Sequence, residues 1–385
     1  MFTCRYLLAI FKMSDSDLKD PLDDGGSLPV SKKARRWYAL YQVSKKSPPS
    51  SPTNHASSDD ESFMSLSVLA SNLPGTDETS LRIFLAQKVE KGSLTPDGAS
   101  LIAAITLTDS ENEEAKYYLH STLLKPKWLR ADSKQTDSPL KGFLVCYGSS
   151  VHQELDSFQN ELDDHNDTLN GLLDATLSGL DTTVASCLEE WNEKTTQYVS
   201  RAVDILKQNL DRVLHATLIN SKTSFEGFSA DNEKDIRKFL HACSIQWVDK
   251  PVAPNTCFFL SQDKEGNTSV EGIDSPIPFF CHHWAGAAHS ASDTNRVDSA
   301  VAIKAVIEEY KLKVIQDVNN MRRLIKKANE DYYAHYKALL FLKHTGNASV
   351  ILELLKDDNI CSDVKSSSKS PDAVIGILEE FLSAE

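Results

Sequence analysis

Cys281-His282-His283, with His289 a little further on, is the densest group of metal-ligating side chains in the chain. Zinc takes such ligands as spaced pairs that can wrap a tetrahedron, and adjacent residues cannot all turn toward one ion. The group therefore reads as ordinary loop residues beside Trp284, and no metal or other cofactor is expected. His241 and Cys243 would make a nucleophile and its base, but residues two apart on a helix point away from each other. The paired acids Asp163-Asp164, Glu189-Glu190 and Asp357-Asp358 read as solvated faces. A nucleophile elbow, a P-loop, a G-x-G-x-x-G turn and an H-E-x-x-H helix are all missing from the 385 residues. The expectation is a binding protein and not an enzyme; the enzymatic alternative is a cysteine hydrolase with an unrecognised site.

What remains is charge. Arg322, Arg323, Lys326 and Lys327 gather on a chain of net charge −14, with Lys311 and Lys313 upstream on the same helical run. A basic amphipathic helix can meet an acidic partner or lipid headgroups. These six residues are the candidate partner-binding positions, the alternative being the solvated flank of a core helix. The overall charge argues against a nucleic-acid binder, which needs a positive footprint. It argues equally against a broad grip on anionic membrane. Seven cysteines, an odd number with no C-x-x-C, read as free thiols in a reducing compartment. No stretch of about 20 apolar residues is present to span a bilayer.

The elements that must position these residues fall into two kinds. Residues 1–35 are polar and read as disordered, with 1–12 an extension ahead of a cytosolic start at Met13. Lys32-Lys33-Ala34-Arg35-Arg36 is a candidate nuclear signal or a solvated flank. Period-two and β-branched runs then predict strands over 37–43, 63–70, 101–107, 116–124 and 143–147. A Ser/Pro-rich mobile insert, 44–62, carries Ser47-Pro48 and Ser51-Pro52 as candidate phosphosites. Between the second and third strands a helix starts at an N-cap Thr76 and stops at Gly92. After Gly148 helical spacing takes over, with Val151, Leu155, Phe158 and Leu162 in one stripe and Leu169, Leu172, Leu173 and Leu177 in another. Strand, strand, helix, three strands, two helices is the order of a longin-like domain over 36–177: an antiparallel five-stranded sheet with one helix on one face and two on the other.

The second half, 178–385, reads as all-helical, which makes the chain α+β. Leu180 to Thr217 steps by threes and fours as one amphipathic helix of about 40 residues, ~60 Å long. A shorter helix is expected over 233–247. Residues 250–296 read as a long, partly docked loop. A second long helix, 297–343, carries the stripe Ile303, Ile307, Tyr310, Val314, Val318, Met321, Ile325, Ala328, Tyr332, His335, Leu339 and Leu342 and runs antiparallel to the first. Short helices at 349–355 and 371–382 flank a polar linker, 362–370.

On the second long helix the sequence resembles a known family. Lys311-Leu312-Lys313-Val314-Ile315-Gln316-Asp317-Val318-Asn319-Asn320 continues through Arg323, Ile325, Ala328, Tyr333-Ala334, Lys337 and Phe341-Leu342-Lys343. This looks like the C-terminal signature of the Njmu-R family. Ile375 to Phe381 extends it, and Leu66-Ser67, Asn72-Leu73-Pro74, Leu81-Arg82 and Phe84 carry it at the other end. Leu214-His215-Ala216 and Phe239-Leu240 carry it thinly in the middle, and residues 1–35 and 250–296 do not match. The resemblance implies a non-enzymatic scaffold subunit of the trans-Golgi complex built around WD-repeat protein eleven, with a family-with-similarity-ninety-one protein as third member. It implies vesicle tethering: helping golgins capture endosome-derived vesicles together with a TBC-domain factor. The implied location is cytoplasmic, peripheral at the trans-Golgi network and cytoplasmic vesicles. A regulatory adaptor unrelated to Golgi traffic is the alternative.

Overall fold

The computed structural model describes residues 34–46, 63–95, 100–108, 114–131, 140–176, 180–219, 222–245, 257–272, 277–292, 298–328, 331–357 and 371–383. The expected insert 44–62, apart from residues 44–46, the linker 362–370, and all but the last two of residues 1–35 lie outside them.

Strands β1 (Arg36–Lys46), β2 (Phe63–Ser71), β3 (Leu101–Thr108), β4 (Glu114–Leu124) and β5 (Leu140–Ser149) form one five-stranded antiparallel sheet in the order β2-β1-β5-β4-β3. The period of two sorts the strands onto two cores, with the edge strand β3 contributing to the first alone. Trp37, Ala39, Tyr41 and Val43 of β1 join Leu144 and Cys146 of β5 on one face. Tyr38 and Leu40 join Phe143, Val145 and Tyr147 on the other. Helix α1 (Gly75–Glu90) covers the first face with Leu81, Leu85 and Val89. Its N-cap is Pro74, not Thr76, and no side chain caps it. The extended ψ of 148° at Pro74 sets the entry, so the helix begins before Thr76. Gly92 follows the helix at φ 67°, a left-handed turn that favours glycine. At the start of β1, Trp37 pairs in register with Gly148, and a Cβ there would stand 2.0 Å from the indole.

A short turn of helix, α2 (Lys127–Ala131), follows β4. Beyond β5 the chain forms α3 (Glu154–Ser157) and α4 (Gln159–Ala175), whose Leu162, Leu169 and Leu173 cover the second face. That core runs on past residue 177, through Val184, Cys187, Leu188 and Trp191. Sheet, one helix below and helices above give the longin-like layering.

The apolar run from Val184 to Val213 is buried, but it is not one helix. It divides into α5 (Thr182–Glu189), α6 (Trp191–Thr195), α7 (Tyr198–Leu206) and α8 (Leu210–Leu218), with a 3-10 turn over Lys207–Asn209. Two causes are visible. Thr195 and Thr196 return their hydroxyls to the carbonyls of Trp191 and Asn192, which bends helices. Lys207 sits at φ 45°, ψ −126°, outside helical space. The chain bends while keeping one face inward, so the sequence period survives the breaks.

The second half also holds strands. β6 (Lys222–Glu226) pairs parallel with β7 (Cys257–Gln262), which pairs antiparallel with β8 (Thr268–Glu271). Helix α9 (Ala230–Cys243) follows β6 and ends before the expected Trp247. The expected loop 250–296 thus contains two strands and a helix, α10 (Phe279–Ala291). Phe258 and Leu260 are buried on either side of the exposed Phe259, the strand alternation that Pro, Gly and Ser on the flanks conceal. The long helix expected over 297–343 is α11 (Ser299–Ala328) followed by α12 (Tyr332–Thr345), whose N-cap Asp331 accepts a hydrogen bond from the Tyr333 amide at 2.9 Å. A capping acid two residues before Tyr333 starts a new helix where the stripe alone suggested continuity. Helices α13 (Ala348–Asp357) and α14 (Pro371–Ser383) close the fold.

Helix α11 is the axis of this half. Its Ile303, Ile307, Tyr310, Val314, Val318, Met321 and Ile325 lie in the largest core. It packs against α7, α9, α10, α12, α13 and α14, and Tyr310 donates its hydroxyl hydrogen bond to the Leu214 carbonyl at 3.2 Å. Glu161 of α4 ties the two halves together: it takes Lys304 Nζ and the Tyr198 hydroxyl, each at 2.7 Å.

Candidate partner-binding surface

On α11 the residues Met321, Ile325 and Ala328 turn inward, which leaves Arg323, Lys326 and Lys327 together on the solvent face. Among the described residues, no ion pair is found for these three. The other three candidates are engaged otherwise. Lys311 lies 3.6 Å from Glu308, one turn away. Lys313 pairs at 2.8 Å with Asp317, a carboxylate only 1% exposed. Arg322 is half-buried and donates to the Asn319 side chain at 2.8 Å, and burial holds its guanidinium below the ordinary value. The sequence cluster of six therefore resolves into one open group of three at the end of α11 and three residues bound into the helix.

The suspected metal group is spread around α10. Cys281 is buried, and burial pushes its thiol up to about 12. His282 pairs with Asp211 at 2.6 Å, His283 stacks edge-on to Trp284, and His289 Nε2 lies 2.8 Å from the Lys207 carbonyl oxygen. Among the described residues, no group of three or more His, Cys, Asp or Glu is gathered as a metal site. Cys243 is buried while His241 is exposed, so that pair does not meet.

Two polar contacts were not legible in the sequence. Cys187 Sγ lies 3.7 Å from His165 Nε2 beneath the Tyr147 ring. Burial and then the Lys194 charge hold His165 down at about 4, and burial raises the Cys187 thiol. Both shifts favour the neutral forms, the opposite of an activated thiolate–imidazolium pair. Asp163, expected on a solvated face, accepts a hydrogen bond from Ser100 at 2.6 Å and lies 3.3 Å from Nε2 of the buried His120. Burial pushes the Asp163 carboxyl up, but these two contacts outweigh it and hold it below the ordinary value. Its neighbour Asp164 is exposed, as are Glu189 and Glu190. No helix of the described residues is long and apolar enough to cross a membrane.

A five-stranded antiparallel sheet between one helix and several, continued by a helical body around α11, defines an α+β protein with a longin-like first half. Residues 39–384 match the Njmu-R1-like protein family, and the chain belongs to that family. It is similar to Protein Njmu-R1 of Mus musculus, 27% identical over 330 residues that cover 83% of this chain and 80% of the mouse protein. A solved structure of the Erythrobacter litoralis EL346 blue-light activated histidine kinase aligns with 71% of this chain and 88% of its own, at 11% identity and a TM-score of 0.25. A score that low carries neither fold nor function across.

Proposed function

We propose that this chain is a non-enzymatic scaffold subunit of a vesicle-capture complex at the trans-Golgi, peripheral on the cytoplasmic side. The observation that carries the reading is membership of the Njmu-R1-like family over residues 39–384, with its signature run centred on α11. The partners proposed are WD-repeat protein eleven, a family-with-similarity-ninety-one protein and a TBC-domain vesicle-capture factor. The open cations Arg323, Lys326 and Lys327 support a protein-binding role, since they stand on the rigid central helix and face outward. Against the cysteine-hydrolase alternative stand the buried, neutral Cys187 and His165.

Affinity purification of the full chain from its own cells tests this. WD-repeat protein eleven and the family-with-similarity-ninety-one protein, the two proposed fellow subunits, should co-purify in near-equal amounts, and the native mass should lie far above the 42.7 kDa of the chain. A monomer of that mass, or a partner set without either subunit, would overturn the reading.

A further inference from the structure

Five large apolar side chains stand in solvent on two helices that touch. On α12, Tyr333, Tyr336 and Leu340 recur at i, i+3 and i+7, opposite the buried Ala334, Ala338 and Leu342. On α14, which packs against α12, Ile377 and Phe381 recur at i and i+4. Tyr333 is 59% exposed, Tyr336 54% and Phe381 57%. The two tyrosine rings are stacked with centroids 6.2 Å apart, and Lys337 Nζ lies 4.7 Å from the Tyr333 centroid. Single exposed apolar residues are ordinary, but five large ones on two helices in contact mark an interaction surface. Tyrosine suits one, with a broad apolar ring and few torsions to freeze.

The cations stand beside this stripe. The Lys327 carbonyl accepts the amide hydrogen bond of Asp331, the residue that caps α12, so the basic end of α11 turns directly into Tyr333. Arg323, Lys326, Lys327 and Lys337 are all exposed there, on a chain whose net charge is −14.

We infer that this face binds an acidic amphipathic helix of a partner protein. The apolar stripe of that helix covers Tyr333, Tyr336, Leu340, Ile377 and Phe381, and its carboxylates face the four cations. Charge selects this occupant. A second copy related by a twofold axis would bring the same cations against themselves. An anionic bilayer is a broad plane and would also meet the acidity of the rest of the chain, of net charge −14, which a single helix does not span. The inference rests on the scaffold reading and deepens it, but it does not depend on Golgi placement.

Carbodiimide cross-linking of the assembly purified from cells joins lysine amines directly to carboxylates in salt-bridge contact. Mass spectrometry should find Lys326, Lys327 or Lys337 joined to Asp or Glu of a second protein. In a Tyr336→Asp/Leu340→Asp variant whose melting is unchanged, recovery of that protein should fall about tenfold, as for loss of interface anchors. Should that variant unfold, Phe381→Asp on the other helix takes its place with the same expected loss. Cross-links confined to this chain's own acidic residues, or joining two copies in an isotope mixture, would overturn the inference. So would unchanged recovery in the variants, or sedimentation with phosphatidylserine vesicles that the variants abolish. If the linked protein is none of the three proposed partners and neither subunit co-purifies, the Golgi reading fails and the surface stands. If both subunits co-purify but no second protein is linked to these lysines, the surface fails and the Golgi reading stands.

Discussion

Glu154 shows how much of this molecule is decided by contacts that no local pattern announces. Its carboxylate is 1% exposed and takes Arg36 Nε at 3.0 Å and Nη2 at 2.7 Å, 118 positions away in the chain. Removing Glu154 leaves the part-buried Arg36 guanidinium without its partner, so Glu154→Ala should cost about 2 kcal/mol in urea unfolding, below the figure for a fully buried pair. His165 makes a pH-dependent contribution. Its folded pKa of about 4 lies below the ordinary 6.5, so the unfolded chain binds a proton that the folded chain refuses. Stability is full above pH 6.5 and falls as pH drops toward 4, by about 3 kcal/mol. Burial lowers His215 in the same sense. The depressed Asp163 acts in a lower window: its share is present above its ordinary 3.8 and is lost as pH falls through its folded value. Urea midpoints at pH 7.5 and 4.5 should differ less in His165→Asn than in the parent, and an equal difference in the two proteins would contradict the assignment. At this scale the sequence located the open cations Arg323, Lys326 and Lys327. It did not show that Lys313 and Arg322 are held by Asp317 and Asn319, or that Asp163 partners Ser100 and His120, because those depend on burial and on chain crossings.

At the scale of elements, all five strands of the first sheet were legible because their side chains alternate, between two opposed cores on the inner strands and between core and solvent on the edge strand β3. The β6–β8 sheet was not: its strands are four to six residues long, and β6 and β7 are joined in parallel across α9. The divided helix from Thr182 to Leu218 escaped notice for a different reason. Its break at Thr195 and Thr196 is local, but the one at Lys207–Asn209 is held by tertiary contacts, with the Asn209 side-chain amide donating to the Thr268 carbonyl at 2.5 Å and the Lys207 carbonyl lying against His289. The positive φ of Lys207 is a strained conformation for a residue with a Cβ. Lys207→Gly should therefore stabilise the chain by about 1 kcal/mol, read as a raised urea midpoint at unchanged slope. A lowered midpoint would mean that the Lys207 side chain matters more than its backbone. A local signal explains the split between α11 and α12, where an Asp331 cap outweighs a continuous apolar pattern in the sequence.

For the whole molecule, α11 sets both stability and the proposed binding role, and the two can be separated by face. Val314 and Met321 are fully buried in the largest core, so Val314→Asp should unfold the helical half, since an unpaired carboxylate there is costly. Cooperative melting at the parent temperature in that variant would contradict the packing. Arg323 and Lys327 are exposed on the opposite face, and exposed charges contribute little to stability. The most direct test of the scaffold role is co-purification of the WD-repeat subunit with Arg323→Glu/Lys327→Glu, alongside a thermal melt of the same variant. The account predicts an unchanged melt with recovery of the WD-repeat subunit reduced about tenfold or more. An unchanged melt with full recovery would contradict it and leave Arg323, Lys326 and Lys327 as the solvated flank of a core helix.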